Sequence, residues 1–568
     1  MKNERQSFDE HIRDVFDHTR PRRSRFTQTE RNDGSRRNKS IIDNTGVIAA
    51  NVLVSGLVNG MSSPAQPWFK FEPDDLELLE YGPVKDWLGL LERLVRRIFH
   101  ASNVYEALPV VYDELILAGT GAAIVDDDFD DVIRMHSLTW GEYAIALNQR
   151  RTVDTLYRET SMTVNQVVQA FGLKNLSTTV RTAYDNGNYD QWVTVMHAIE
   201  PNPERAAGKL DNKNMAWRSV YWEANNNEKD TFLRKSGYRV NPIIAPRWSV
   251  IGNDIYGSSP GMEALGDMRQ LQIQQKRKGE AIEKLVRPPT QGPTSLADKF
   301  FSQLPGAHTP VADPANGIRP IFEVRPDLNQ MVADIEDTRR RIQETFFVPY
   351  ILSISSMEGV QPKNQWEIAE RKGEGLLVLG PAVQRLQAEL HNPLIARVIN
   401  RVVDVCMPYW QLGEAGMLPP PPPELSGMPL QIQYISSLAQ VQKATALSGM
   451  ERLLMVVTNP QVAQSMPDIL DKIDAQQWVD EFGENLGVPA RVIRSDEVVA
   501  QMQQERQQQQ QMQQLAALAQ PAKDAAQAAK AMSEAKVEAE PGEGKGALQA
   551  MMEGVQDANE SGEIAGAA

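Results

Sequence analysis

Residues 262–286 read MEALGDMRQLQIQQKRKGEAIEKLV, and residues 327–347 read DLNQMVADIEDTRRRIQETFF. Apolar residues recur at helical spacing in both stretches: Leu265, Met268, Leu271, Ile282 and Leu285 in the first, and Leu328, Met331, Ile335, Ile342 and Phe346 in the second. A loop-rich Pro/Gly segment separates the two stretches. Two long helices that flank one compact insert are expected to pack side by side and to present the insert at their shared tip.

The segments before this helix pair predict helices first and strands afterwards. Residues 45–61 and 84–102 have apolar helical patterns. From 122 to 250 the period changes to alternating β-branched and aromatic residues bounded by Asp, Asn or Gly, which indicates antiparallel hairpins. One helix, 163–172 with Thr163 as its N-cap, interrupts them. The fold class is therefore α+β and mainly helical.

The segments after the helix pair are helical again. Val348 and Pro349 are expected to end the second helix and to open a polar loop. A long helix from about 365 to 407 follows, with kinks expected at Gly380-Pro381 and Asn392-Pro393. A proline run at 419–423 indicates a rigid linker, helices follow over roughly 431–496, and a Gln-rich helix precedes a low-complexity tail.

Composition limits the class of function. The 568 residues are 41% hydrophobic, which is enough for a large core, and the formal net charge is −15. A protein that coats nucleic acid needs a basic face to neutralise phosphates, so an acidic chain should handle DNA loosely. The single cysteine excludes an intrachain disulfide and suits a reducing cytoplasm. Residues 45–61 are interpreted as a buried helix and not as a membrane span.

Known catalytic patterns are absent from the sequence. The seven histidines are dispersed without HExxH spacing, and the chain contains no phosphate-binding P-loop and no G-x-S-x-G elbow. No cofactor and no metal site are predicted. These absences favour a structural subunit over an enzyme.

Charged runs leave two interpretations each. The acidic run 126–131, DDDFDD, could hold Ca²⁺ or Mg²⁺, but it lacks the glycine and terminal glutamate of an EF-hand loop, so an exposed turn between strands is favoured. The basic runs 20–25 (RPRRSR) and 339–341 (RRR) could bind a partner. Solvated or salt-bridged surface is the favoured interpretation for both.

Four stretches carry a resemblance to a known family: NTGVIAANVLVSGLVNGMSSPAQPWFKF (44–71), RWSVIGNDIYGSSPGMEALGDMRQLQIQQ (247–275), FVPYILSISSMEGVQPKNQWEIAERKGE (347–374) and the Gln-rich stretch that begins MPDILDKIDAQQWVDEF (466–511). In order and spacing they resemble the portal, or head-to-tail connecting, proteins of short-tailed phages related to the T7 group. No single stretch is as diagnostic as a zinc or P-loop motif. The resemblance depends on the agreement of all four stretches in order and spacing.

The resemblance implies a portal fold and a division of the chain into regions: 1–257 wing, 258–288 first stem helix, 289–326 clip, 327–348 second stem helix, 349–407 channel loop and long wing helix, 408–500 crown, and 501–568 Gln-rich barrel helix and tail. It also implies a ring of twelve subunits around double-stranded DNA at one capsid vertex. The implied partners are the terminase large subunit, tail adaptors, and the major capsid and scaffold proteins. Such a protein resides in the virion and, during assembly, in the host cytoplasm, without contact with a membrane.

Site residues follow from the implied regions. Residues of the channel loop are expected nearest the DNA: Met357, Gln361, Lys363 and Asn364. Carboxylates of the stem helices are expected in the lumen or in inter-subunit pairs, with simple solvated helix faces as the alternative: Glu263, Glu280, Glu283, Glu336 and Glu344. Apolar clip residues are expected to bind partners or to form a small clip core: Phe300, Phe301, Ile321 and Phe322.

Two other classes of function compete with the portal hypothesis. The chain could be an internal virion protein or a filament-forming scaffold without a channel, in which case the Gln-rich end would be the assembling part. It could also be a virion enzyme with an unfamiliar active site, which would need a convergent cluster of His, Asp and Glu.

Overall fold

The computed structural model describes part of the chain and forms two compact units, Met1–Ile493 and Arg494–Ala568. In the first unit the described residues are 1–23, 40–75, 78, 81–206, 208–209, 211–226, 232–287, 290–291, 319–320, 327–355, 379–412, 414, 416–425, 427–435, 453, 455, 477–479 and 482. In the second unit they are 499 and 502–511, and the latter stretch is helical.

Twelve helices are described in the first unit, apart from short 3₁₀ turns. They are α1 Lys2–Thr19, α2 Thr45–Met61, α3 Gly82–Ala101, α4 Val104–Ala118, α5 Val164–Phe171, α6 Thr178–Asp185, α7 Pro260–Glu263, α8 Leu265–Val286, α9 Leu328–Thr345, α10 Val348–Ser355, α11 Gly380–Leu386 and α12 Asn392–Gln411. A π-helical turn, Gln387–His391, joins α11 to α12.

Twelve strands are described in the same unit. They are β1 Phe69–Pro73, β2 Ala122–Asp127, β3 Ile133–Leu138, β4 Tyr143–Leu147, β5 Val153–Thr163, β6 Trp192–Pro201, β7 Trp217–Glu223, β8 Arg234–Tyr238, β9 Ile243–Ile244, β10 Thr290–Gln291, β11 Arg319–Pro320 and β12 Leu430–Tyr434. The mixture of helices and antiparallel strands confirms the α+β class.

The largest sheet has the order β4-β5-β6-β7-β8, and every neighbouring pair is antiparallel. Helices α5 and α6 cover one of its faces through a small apolar cluster that includes Val167, Val180 and Tyr221. A second sheet has the order β3-β2-β9. In a further two-stranded sheet β1 pairs with β12, although these strands are far apart in the sequence. The alternating pattern predicted antiparallel pairing of consecutive strands, and β4 to β8 pair in this way, with α5 and α6 inserted between β5 and β6.

The main core forms around α4, whose last eight residues, 111–118, are all buried. Helix α4 ends at Gly119, which has φ of +76° and lies so close to Gly257 that a Cβ atom would stand 2.0 Å from its carbonyl oxygen. Only glycine adopts that left-handed conformation freely and leaves room for the neighbouring backbone. The contact joins the end of α4 to the turn that leads into α7 and α8.

Three local features extend or correct the sequence prediction. Thr163 is confirmed as the N-cap of α5, because its hydroxyl accepts from the backbone N–H of Gln166 in a capping box. The prediction of one helix among the strands was incomplete, since α6 follows, capped by Ser177. The prediction of a loop directly after Pro349 was wrong: α10 begins at Val348, because proline fits the first turn of a helix.

Of the two predicted kinks in the long helix, the one at Asn392-Pro393 lies beside a real interruption, whereas the predicted helix start near 365 and the residues up to 378 lie outside the described ranges. Pro381 stands in the first turn of α11, and Pro393 stands in the first turn of α12, immediately after the π-helical turn. The helix continues to Gln411, four residues beyond the predicted end. Among the described helices none is long and apolar enough to cross a membrane.

Candidate functional site on the helix pair

Helices α8 and α9 pack against each other and run in opposite directions. Arg341 on α9 forms an ion pair with Asp267 on α8, with 3.1 Å between Nη2 and Oδ1. Farther along α8, the side-chain amide of Gln274 donates to Asp334, which lies earlier on α9. The residue numbers of the contacting side chains rise along α8 and fall along α9. The two helices are therefore antiparallel, as the sequence predicted.

One end of the pair is fixed to the core by a buried carboxylate, Asp43, just before α2. Arg339 of α9 donates to its Oδ2 atom from Nε at 3.0 Å and from Nη2 at 2.7 Å. From α8, Gln275 donates to the same oxygen at 2.9 Å, while Gln272 accepts from the backbone N–H groups of Ile42 and Asp43. A single acidic side chain therefore joins three segments.

The charge of Asp43 is stabilised where it lies. Burial by itself would raise the pKa of Asp43, but hydrogen bonds from Thr45 and Arg339 outweigh burial, and the pKa is lowered from its ordinary value. The carboxylate is thus ionised at neutral pH and is satisfied by charge-assisted hydrogen bonds.

The same end of the pair is apolar where the helices meet the core. We call residues 265–275 the proximal half of α8. Leu265, Met268 and Leu271 of this half are buried, and so are Ile335 and Ile342 of α9. These residues confirm the apolar stripe predicted for this part of each helix.

The other end of the pair is exposed. We call residues 276–286 the distal half of α8. Ile282 and Leu285 belong to the apolar residues that recur at helical spacing in the sequence, yet they are 41% and 42% exposed, and Val286 is 73% exposed. The helix pair extends beyond the core of its own chain, so the same periodicity leaves these side chains uncovered there. On the second helix, Leu328 and Met331 are only half-buried, and Val332 is 40% exposed.

Charges on the distal half have no ion-pair partner among the described residues. Within the part of the chain that the structure describes, no ion pair involves any of six charged residues of this half: Lys276, Arg277, Lys278, Glu280, Glu283 and Lys284. The arginines of α9 differ, because Arg340 pairs with Asp337, and Arg341 pairs with Asp337 and Asp267. The salt-bridged interpretation of the run 339–341 is confirmed.

The predicted stem carboxylates lie on exposed surface. Glu263 ends α7, and Glu280 and Glu283 lie on the distal half. Glu336 and Glu344 of α9 pair along their own helix with Arg339, at 2.5 Å, and with Arg340, at 4.0 Å. Two of the five are therefore engaged within their own helix.

Two predicted groups lie outside the described residues. They are the channel-loop residues Met357, Gln361, Lys363 and Asn364 and the clip residues Phe300, Phe301, Ile321 and Phe322. The described edges of the segment between α8 and α9 are β10 and β11, which pair antiparallel with Gln291 opposite Arg319.

Residues 128–131 of the acidic run form the turn between β2 and β3, as the favoured interpretation has it, while Asp126 and Asp127 are the last residues of β2. Over the described ranges, no group of three or more His, Cys, Asp or Glu side chains is arranged to hold a metal ion. Sequence reasoning weighed the carboxylates of this run and overlooked its aromatic residue, Phe129, which is fully exposed.

The described part of the N-terminal basic run is salt-bridged. Arg20 and Arg23 pair with Asp113 at 3.0 Å each, and Arg23 also pairs with the buried Glu114 at 2.7 Å. Burial raises the pKa of Glu114 to about 7, although Arg23 opposes that change. These pairs fix the end of α1 to α4.

Sequence reasoning also missed the anchor at Asp43. Its partners on the helix pair lie 229 to 296 residues away along the chain, so no local pattern signals them. Asp43 fixes one end of the helix pair, while the distal half of α8 is exposed at the other end.

An α+β chain whose helix pair is fixed at one end and uncovered at the other belongs to the class of structural subunits that are completed by association. The model of the bacteriophage head to tail connecting protein family matches residues 1–493, and the chain belongs to this family. Its function is that of a portal-vertex subunit, and it is not an enzyme.

Two curated relatives are similar over most of their length. The probable portal protein of Bordetella phage BPP-1 is 43% identical over 508 residues, and the portal protein of Salmonella phage epsilon15 is 42% identical over 508 residues. Each alignment covers 89% of this chain and 89% of the relative. A chain from the virion of a native gene transfer agent particle aligns over 81% of this chain and 98% of its own length, at 12% identity and a TM-score of 0.33, which is too low to add to the argument.

Proposed function

We propose that twelve copies of this chain form a closed ring around a channel for double-stranded DNA, with neighbouring copies in contact along the distal half of α8. The observation that carries this proposal is the exposure of Ile282, Leu285 and Val286 beside side chains without ion-pair partners among the described residues. A contiguous apolar patch rimmed by charge is typical of a protein–protein contact.

Charge favours a neighbour of the same kind. Residues 276–287 include five basic side chains, Lys276, Arg277, Lys278, Lys284 and Arg287, and two acidic ones, Glu280 and Glu283. The α9 helix exposes Glu336 and Glu344, which pair with Arg339 and Arg340 of their own helix and in this proposal also contact the basic side chains of the neighbouring copy. An α8 helix that faces the α9 helix of the next copy brings opposite charges together, and such a head-to-tail contact generates a ring when the rotation closes.

The regional assignments belong to the same proposal. In it, 1–257 is the wing, 258–288 and 327–348 are the stem helices, 289–326 is the clip, 349–407 holds the channel loop and long wing helix, 408–500 is the crown, and 501–568 is the barrel helix and tail. The antiparallel pairing of β10 with β11 supports a clip whose two ends meet at the stem.

An acidic ring suits a channel through which DNA must slide. Twelve chains of charge −15 sum to −180. A strongly basic lumen would bind phosphates tightly at every position and would oppose movement of the duplex. In this proposal Glu263, Glu280 and Glu283 face the lumen or a neighbouring copy, and Met357, Gln361, Lys363 and Asn364 approach the DNA.

The remaining partners follow from the position of the ring at the capsid vertex. The clip residues Phe300, Phe301, Ile321 and Phe322 would contact the terminase large subunit during packaging and tail adaptors afterwards. The wing would contact the major capsid and scaffold proteins. Assembly would take place in the host cytoplasm.

Electron microscopy of two matched variants tests the proposed interface. Val286 is 73% exposed on the distal half, and Ile251 is 69% exposed outside the helix pair. We expect Val286→Asp to abolish rings, because it places an unpaired charge in an apolar contact. Ile251→Asp should leave twelve-fold rings intact. Normal rings from Val286→Asp, or monomers or fibres from the unaltered protein, would contradict the proposal.

A further inference from the structure

The turn between β2 and β3 presents one aromatic side chain entirely to solvent. Phe129 is 101% exposed, and carboxylates flank it at Asp128, Asp130 and Asp131. The turn has a defined shape, since Asp128 Oδ1 accepts from the backbone N–H groups of Asp130 at 2.7 Å and Asp131 at 3.1 Å. We call residues 128–131 the acidic tip.

The base of the same hairpin is fixed to two other elements. Asp127 accepts from Arg397 of α12 at 2.7 Å, and Asp126 accepts from the hydroxyl of Tyr238 on β8 at 2.5 Å. Arg397 also stacks on the ring of Tyr238, with 5.6 Å to the centroid. The fixed base of the hairpin therefore keeps Phe129 in solvent. Exposure of its apolar ring to water is unfavourable unless another molecule covers the ring.

A cavity of 840 Å³ lies on the five-stranded sheet. Its apolar lining includes Tyr157, Met196, Val220, Trp222 and Phe232. All five side chains are half-buried, so this face of the sheet retains aromatic and aliphatic surface that α5 and α6 do not cover. We call this cavity the sheet pocket.

The rim of the sheet pocket is rich in positive charge. Six basic side chains line it, Lys2, Arg5, Arg158, Lys213, Arg218 and Lys235, against four acidic ones, Glu142, Glu159, Glu200 and Glu204. Glu159 pairs with Lys2, and Glu200 pairs with Arg218. Arg5 pairs with Asp9, so three of the six basic side chains are engaged within the chain. Lys213 and Lys235 form no ion pair among the described residues.

The hairpin that carries the acidic tip belongs to the β3-β2-β9 sheet, and its base contacts the face of the five-stranded sheet that lies opposite the sheet pocket. Lys235 of β8 stands opposite Val220 of β7, and both line the pocket. Tyr238 is three residues beyond Lys235, so its side chain points to the other face, because successive strand residues alternate. Tyr238 holds the base of the acidic hairpin there.

We propose that the acidic tip of one copy, with Phe129 at its apex, docks into the sheet pocket of the neighbouring copy in the ring. The proposal rests on the ring described under the proposed function and adds a second contact to the one on the helix pair. A projection on one side and a matching pocket on the other side form a head-to-tail contact, which is the kind that generates rings.

The chemistry of the two surfaces is complementary. The phenyl ring of Phe129 would be covered by Tyr157 and Trp222, which offer the edge and face surfaces that aromatic pairs prefer. The carboxylates around it would meet Lys213 and Lys235 at the rim. Opposite charges at a rim guide the encounter and fix the orientation, while the buried aromatic residue supplies most of the affinity.

A photo-crosslinker at the apex tests the contact directly. p-Benzoylphenylalanine is incorporated at position 129 of the full chain, rings are purified and irradiated, and the crosslinked peptides are identified by mass spectrometry. We expect crosslinks to peptides that contain Tyr157 or Trp222. Rings mixed from isotopically light and heavy chains must show that the two peptides come from different copies.

The same amino acid at Tyr189, which is 47% exposed outside the pocket and the tip, serves as the control and should give no crosslink to the pocket. Crosslinks from position 129 within one copy, to another protein, or to other surfaces would overturn the inference, and so would rings without a crosslink. In those cases the proposed ring itself stands, whereas failure of the unaltered protein to form rings counts against the proposed function.

Paired substitutions provide a second test. Phe129→Ala should weaken association between copies by roughly thirty-fold, the loss expected for a central aromatic contact. Lys235→Glu should also weaken it, and the combination of Lys235→Glu with Asp130→Lys should restore it. Unchanged association after Phe129→Ala would overturn the inference. So would a double variant whose loss of association free energy equals the sum of the losses of the two single variants.

Discussion

The two halves of α8 both carry apolar residues at helical spacing, but their surroundings differ. The proximal half buries Leu265, Met268 and Leu271 and is tied to Asp43. The distal half has the same helical spacing of apolar residues, yet Ile282 and Leu285 are exposed. The difference shows that an amphipathic pattern identifies a helix face that is to be buried, but it does not indicate whether the same chain or another chain buries it.

The largest expected effect comes from truncating one leucine in each half. Leu271→Ala should lower the free energy of unfolding by about 2–5 kcal/mol, because it opens a cavity in the core. Leu285→Ala should change it by less than about 0.5 kcal/mol in the dissociated subunit. Denaturant unfolding of dilute protein measures both variants. Equal losses for the two would show that the distal half already belongs to the core of its own chain.

Neighbouring arginines of α9 sharpen the same comparison. Arg339→Ala removes two of the hydrogen bonds to the buried Asp43 and should cost about 1–3 kcal/mol of unfolding free energy. Arg340→Ala removes pairs only along its own helix and should cost about 0.3–0.5 kcal/mol. Both variants are unfolded with denaturant at one salt concentration, and their unfolding free energies are compared. If Arg340→Ala proved the more costly, Asp43 would not be the anchor of the pair.

A smaller effect is expected from pH. Because the pKa of Asp43 is lowered in the folded protein, the unfolded chain binds more protons at this residue as pH falls, and the folded state loses stability. The contribution is fully present above the ordinary pKa of aspartate, about 3.9, and is lost as pH falls through the lower folded pKa.

Unfolding from pH 7 to pH 3 should therefore show a stability difference between the unaltered protein and Asp43→Asn that shrinks in acid. The matched control is Asp334→Asn, since Asp334 accepts from the neutral amide of Gln274 and lies at the exposed surface of the pair. A difference that grows as pH falls would contradict the direction given for Asp43.

The parts of the fold that sequence predicted depend on local chemistry. The antiparallel helix pair, the cap at Thr163 and the turn in the acidic run 126–131 all follow from spacing, capping and turn residues within short windows. Helix α10 was missed because Pro349 suggests a helix end as readily as a helix start. Its position in the first turn after Val348 decides the matter, and only the structure supplies it.

The parts that sequence could not predict depend on distance. The carboxylate of Asp43 meets Arg339 across 296 residues, and nothing near either residue indicates the pairing. Phe129 stands in a run whose carboxylates drew attention to cation binding, whereas its own exposure emerges only from the folded hairpin. Periodicity places Ile282 and Leu285 among the apolar residues of α8, but it cannot distinguish the core of one chain from a contact between chains.

Hydrogen–deuterium exchange along α8 tests the central claim most directly. Rings of the unaltered protein are compared with dissociated Val286→Asp subunits, and exchange is followed separately in peptides from 265–275 and 276–286. We expect both forms to protect the proximal half equally, and only the ring to protect the distal half strongly, because a neighbouring copy covers it there. Equal protection of the distal half in rings and in dissociated subunits would contradict the account.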